Sequence, residues 1–116
     1  MPRTVEYVPV RVTPQQVMVM SIRVNTTLPF TFIVGVATGE SNFAINELDT
    51  EEDGFQTYGI YQLSKDEAKE MGEPNSNLFD LEVSTRIFCR LMEKRLVTIA
   101  AAAKVVQPYP NDIYAY

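Results

Sequence analysis

A chain of 116 residues, 46% of them hydrophobic, is long enough for one compact domain with its own core and too short for much more. Fifteen acidic side chains against ten basic ones leave a net charge of −5, and there is no histidine. That balance excludes a phosphate-backbone (nucleic-acid) partner, a histidine triad and a histidine-bound metal, and the composition asks for no cofactor. A single cysteine, Cys89, forms no internal disulfide. The N-terminus lacks the charged-then-apolar order of a signal peptide, so no export signal is expected. The longest uncharged stretch, Val24 to Gly39, is interrupted by Pro29 and falls short of the ~20 residues that cross a bilayer, so no membrane span is expected.

Taken in order, Val5 to Val12 alternate loosely around Pro9, which predicts an extended arm or edge strand over residues 1–12, followed by one domain from Thr13 to Tyr116. Thr13-Pro14-Gln15-Gln16 reads as a helix start, with Thr as cap, Pro in the first turn and Gln at the third position, and the first helix should end near Asn25. Pro29 opens a second helix that carries the chain to Glu40. Its uncharged run, Phe30 to Gly39, should be buried on most sides. Glu47, Asp49, Glu51, Glu52 and Asp53 form an acidic surface loop, and Asp53-Gly54 predicts a hairpin turn. Ser64-Lys65-Asp66-Glu67 is a capping box for a short helix ended by Gly72. Asp80 caps a long helix whose apolar face is Val83, Ile87, Phe88, Leu91, Met92, Leu96 and Ile99. Cys89 reads as a buried or half-buried small residue, and Gln107-Pro108 breaks the helix.

Glu40 is the residue with a chemical reading. A carboxyl delivered to an apolar wall at the C-terminal, negative end of a helix should have a raised pKa. A carboxylic acid that keeps its proton near neutral pH is suited to protonating the leaving oxygen of a glycosidic bond. Ser41 either caps the helix end or holds Glu40 in place. Asn46 is either a turn residue or a group that orients a sugar or a water. Phe55, Tyr58 and Tyr61 are core residues or stacking platforms for sugar faces, with Tyr58 expected in the core and Tyr61 in a cleft.

The sequence Glu40-Ser41-Asn42-Phe43, then Asn46, Asp53-Gly54 and Tyr58-Gly59-Ile60-Tyr61-Gln62-Leu63, resembles the active-site segment shared by c-type lysozymes and soluble lytic transglycosylases. Weaker matches run from about Thr13 to Arg95, including the Leu78-Phe79-Asp80 helix opening. The resemblance implies a mainly α, α+β chain of lysozyme-like fold with a small β-hairpin beside a cleft. It implies peptidoglycan glycan strands as substrate, with cleavage between N-acetylmuramic acid and N-acetylglucosamine. Glu40 would be catalytic, and Ser41, Asn46, Gly59, Ile60, Tyr61 and Gln62 would line the substrate site. Aligned without gaps, the catalytic aspartate of c-type lysozymes falls on Thr57, which favours the transglycosylases, where one glutamate acts as acid and then base. Asp49 or Asp53 would be the second carboxylate of an inverting muramidase instead, with carboxyls ~6.5–9.5 Å apart.

Tyr114 or Tyr116 stands where the transglycosylases begin a further cleft motif, so the sequence reads as a shortened variant or a fragment. A non-catalytic wall-binding or virion structural module is the alternative of a different class. The single cysteine points to the bacterial or phage branch. With no export signal and no basic surface, delivery by a larger assembly such as a phage tail or an export machine is expected, with the N-terminal arm as the attachment.

Overall fold

The computed structural model describes residues 7–106. Four helices and one two-stranded antiparallel sheet follow in the order α1 (Pro14–Arg23), α2 (Phe30–Ser41), β1 (Leu48–Thr50), β2 (Gln56–Tyr58), α3 (Lys65–Glu70) and α4 (Leu81–Val106). The chain is therefore α with a small β element, as its sequence predicts.

Local chemistry sets the element boundaries. Thr13 Oγ1 accepts from the Gln16 amide at 3.1 Å while Gln16 Oε1 accepts from the Thr13 amide at 2.8 Å, so both halves of the α1 capping box form. Ser64 and Glu67 repeat this pair at α3, at 3.1 and 2.9 Å. Asp80 Oδ1 accepts from the Val83 amide at 2.9 Å and starts α4. Gly54, at φ +87°, closes the hairpin, and Leu48, Asp49 and Thr50 pair with Tyr58, Thr57 and Gln56.

α1 packs against both α2 and α4. The core gathers Val17, Ile33, Ile60, Leu63, Ile87 and Leu91, all fully buried. Tyr61 stacks on Phe88 with centroids 4.4 Å apart and planes within 8°. Such a pair adds about 0.5–1.5 kcal/mol beyond its buried area. The α1–α2 connector is bound to α4 by Glu93, whose carboxylate accepts from Thr26 Oγ1 at 2.8 Å and the Thr27 amide at 2.9 Å. Arg90 bridges the same carboxylate at 2.8 Å and the Val24 carbonyl. Burial opposes ionisation of Glu93, but the Thr27 amide and the Arg90 and Thr26 side chains outweigh it and hold the carboxyl below its ordinary range.

Two sequence expectations are corrected here. α2 is not buried on most sides: Ile33, Ala37 and Ser41 form one buried line, while Phe32 and Gly35 are exposed. On α4 the apolar face is covered through Leu91, half-covered at Met92 and open at Leu96 and Ile99. In both cases the apolar pattern exceeds what the described residues place against it. Val5, Tyr114 and Tyr116 lie outside the described residues, so those expectations have no structural counterpart here.

Candidate active site

The end of α2 is unusual in backbone. Asn42 and Phe43 both adopt left-handed conformations, φ +50° and +67°, and their amides return to the Thr38 and Ala37 carbonyls at 3.1 and 3.2 Å. Asparagine tolerates this region, whereas for Phe43 it costs roughly 1–2 kcal/mol. The half-buried Phe43 ring, packed on the core, offsets that cost. The double left-handed step reverses the chain directly after Glu40-Ser41 and sends it toward the hairpin.

Glu40 is exposed. The expectation of a carboxyl pressed against an apolar wall is thus corrected: α2 buries only one line of residues, and Glu40 is off that line. Ser41, one residue on, is buried, and its hydroxyl donates to the Ile60 carbonyl at 2.8 Å. The two sequence motifs therefore meet through a direct hydrogen bond, and Ser41 is a strut between them with no free hydroxyl for a sugar.

The second motif is a tight loop. Tyr58 and Leu63 exchange amide bonds at 2.9 and 3.0 Å, and the Gln62 amide donates to the Gly59 carbonyl at 3.1 Å. Gly59 sits at φ +81°, where a Cβ would lie 2.1 Å from the Leu78 carbonyl oxygen, so only glycine fits. Gln62 fills the loop from inside: Nε2 donates to the Gly59 carbonyl at 2.9 Å and to that of Glu47 at 3.3 Å, and Oε1 accepts from Thr57 Oγ1 at 2.6 Å. Gln62, placed in the substrate site by the resemblance, thus spends both ends of its amide on the protein itself.

Several sequence assignments change in this light. Ile60 and Tyr61 are core residues, not cleft residues. The Tyr61 hydroxyl shares a 2.9 Å bond with Thr85 Oγ1, and burial pushes its pKa up against the lowering effect of that bond. Tyr58, expected in the core, packs against its edge and is half-buried, edge-on to Phe79 at 5.8 Å. Asn46 is engaged by the arm: Oδ1 accepts from the Val10 amide at 2.8 Å and Nδ2 donates to the Val8 carbonyl at 2.9 Å. The Val12 amide to Phe43 carbonyl and Ile45 amide to Val10 carbonyl bonds, 3.0 and 2.9 Å, complete this edge pairing.

Both alternative carboxylates are exposed on the hairpin. Asp53 Oδ1 accepts from the Phe55 amide at 2.9 Å and shapes the turn. Asp49 lies opposite Thr57 in the ladder, beside the position where the c-type aspartate would stand. Among the described residues no group of three or more acidic, cysteine or histidine side chains is placed to hold a metal, and no helix is long and apolar enough to cross a membrane. Cys89 is buried, and burial pushes its thiol pKa up against a lowering bond from Thr26.

No family model, curated protein or solved structure matches this chain. The site stands on its own geometry: an exposed carboxylate at a helix end, joined by Ser41 to a rigid loop whose other side faces Leu78. The sequence reading missed the surface formed by Tyr58, Lys65 and Phe79. The lysine inside the α3 capping box, seven residues after an aromatic, was the available signal, but only the loop geometry brings Lys65 Nζ to 5.5 Å from the Tyr58 ring centroid.

Proposed function

We propose that this chain is a peptidoglycan-cleaving lytic transglycosylase of lysozyme-like fold, with Glu40 as acid and then base. The observation that carries the reading is the 2.8 Å bond from Ser41 to the Ile60 carbonyl, which joins the two motifs on which the resemblance rests. Ser41, Gly59 and Gln62 serve as the frame that positions Glu40, while the exposed carboxylate meets the glycan.

In the first step Glu40 gives its proton to the glycosidic oxygen, the C1–O bond breaks, and the N-acetyl carbonyl oxygen of the muramoyl residue bonds to C1. In the second, the C6 hydroxyl displaces that oxygen at C1 and gives its proton to the Glu40 carboxylate. Bonds and protons balance without water, and the product is a 1,6-anhydro sugar. Thr57, bonded to Gln62, offers no second carboxylate.

The exposure of Glu40 favours a second reading, a wall-binding or virion module without turnover. Mass spectrometry of digested, purified peptidoglycan decides between them. Anhydro products, lighter by one water than reducing ends and abolished by Glu40→Gln, are expected. Reducing ends would redirect the assignment to a muramidase and to Asp49, and an absence of soluble products from folded protein would favour the non-catalytic module.

A further inference from the structure

Two adjoining depressions, of ≈ 380 and ≈ 250 Å³, run along β2 and the start of α3, and neither Glu40 nor Ser41 lines them. Tyr58 and Lys65 line both. Phe55 extends the apolar wall at one end, and Phe79, Asn75 and Asn77 form the other. We propose that this groove is an accessory site for an N-acetylated glycan carrying a carboxylate, separate from the chemistry at Glu40.

The walls are built in advance of any ligand. The Tyr58 hydroxyl donates to Gln56 Oε1 at 2.8 Å, and its ring meets Phe79 edge-on, so the platform is held at both ends. The loop leading to Phe79 is braced by Arg86, which donates to Glu73 at 3.1 and 2.5 Å, and by Asn77 Oδ1, which accepts from the Phe79 amide at 3.0 Å. Leu78 packs its carbonyl on Gly59, which ties that loop to the turn after β2. Aromatic faces suit the C–H faces of pyranose rings, and exposed asparagine amides suit acetamido and hydroxyl groups. Lys65 is the one cation lining either depression, and among the described residues it forms no ion pair. In a chain of net charge −5, an unpaired ammonium over an aromatic ring selects a carboxylate rather than a second cation. The groove is independent of the activity, whereas the choice of an amino-sugar ligand rests on the peptidoglycan reading.

The test uses the full chain with Glu40→Gln, titrated by NMR with chitotriose, which is neutral, and with the disaccharide GlcNAc–MurNAc, whose lactyl group is a free carboxylate. Both should shift the amides of Tyr58, Lys65, Asn77 and Phe79. Adding Lys65→Gln should weaken the disaccharide about tenfold and chitotriose less than twofold, the difference being the charge-assisted contact. A disaccharide whose lactyl group is capped by a neutral peptide amide should behave like chitotriose; a Lys65-dependent gain only with a peptide bearing a free carboxylate would place the stem peptide at Lys65 instead of the lactyl group. Unshifted groove amides, or equal losses for both ligands, overturn the proposal. Anhydro products from the unmodified chain without groove shifts would remove this site alone, and groove shifts without products would remove the transglycosylase reading alone.

Discussion

Ser41→Ala removes one oxygen atom from the joint between the end of α2 and the Gly59–Gln62 loop. The Ala37 carbonyl, 3.3 Å from the same hydroxyl, keeps the Phe43 amide at 3.2 Å, so the loss falls on the Ile60 carbonyl. Stranding a buried acceptor costs about 1–3 kcal/mol. The better helix propensity of alanine returns at most ~0.5 kcal/mol. A net destabilisation of about 1.5 kcal/mol follows, and at roughly 4–8 °C per kcal/mol for a domain of this size the midpoint should fall by roughly 6–12 °C. Thr38→Ala is the control: its hydroxyl donates at 2.7 Å to the Val34 carbonyl inside the same helix and is exposed, so its change should stay within about 0.5 kcal/mol. Thermal and urea unfolding followed by circular dichroism compare the two. If Ser41→Ala costs no more than Thr38→Ala, the two motifs are not held together by this bond, and the structural support for the proposed function goes with it.

Gly59→Ala should cost more, roughly 1–2 kcal/mol for the left-handed backbone and ~1–3 kcal/mol for moving Leu78 away; an unchanged unfolding midpoint would contradict the close approach. Asn46→Ala should release the arm, seen as lost hydrogen-exchange protection at Val10 and Ile45, with global stability lowered by only about 1 kcal/mol; retained protection would show that the backbone pairing suffices. Glu73 is held below its ordinary value of 4.5, chiefly by the Arg86 bond, and Glu93 is lowered as well. Their stabilisation is therefore complete above about pH 4.5 and is lost as pH falls through their lowered folded values, so the midpoint should drop on acidification and the slope should flatten in Glu73→Gln and Glu93→Gln. A slope identical in all three proteins would deny both carboxyls this role.

Helix starts and the hairpin turn were legible in the sequence because each rests on contacts a few residues apart. Thr13 with Gln16, Ser64 with Glu67, Asp80 with Val83 and the left-handed Gly54 need only their neighbours. The pairing of Glu40-Ser41 with Gly59-Ile60-Tyr61-Gln62 was legible only as a spacing. What the tertiary structure decided is which of those side chains face outward. Composition cannot distinguish an apolar helix covered on all sides from α2, which is covered along Ile33, Ala37 and Ser41 and leaves Glu40 in solvent. Tyr61 went into the core instead of a cleft, and Tyr58 only to the core's edge, while the loop between them is set by Gly59 against Leu78, a contact made across nineteen residues of chain. Gln62 and Asn46, polar residues with an obvious need for partners, found them inside the protein through Thr57 and the arm. Burial and hydrogen-bond satisfaction are properties of the whole packing, so the sequence names the candidate residues and the fold assigns which of them remain free to act.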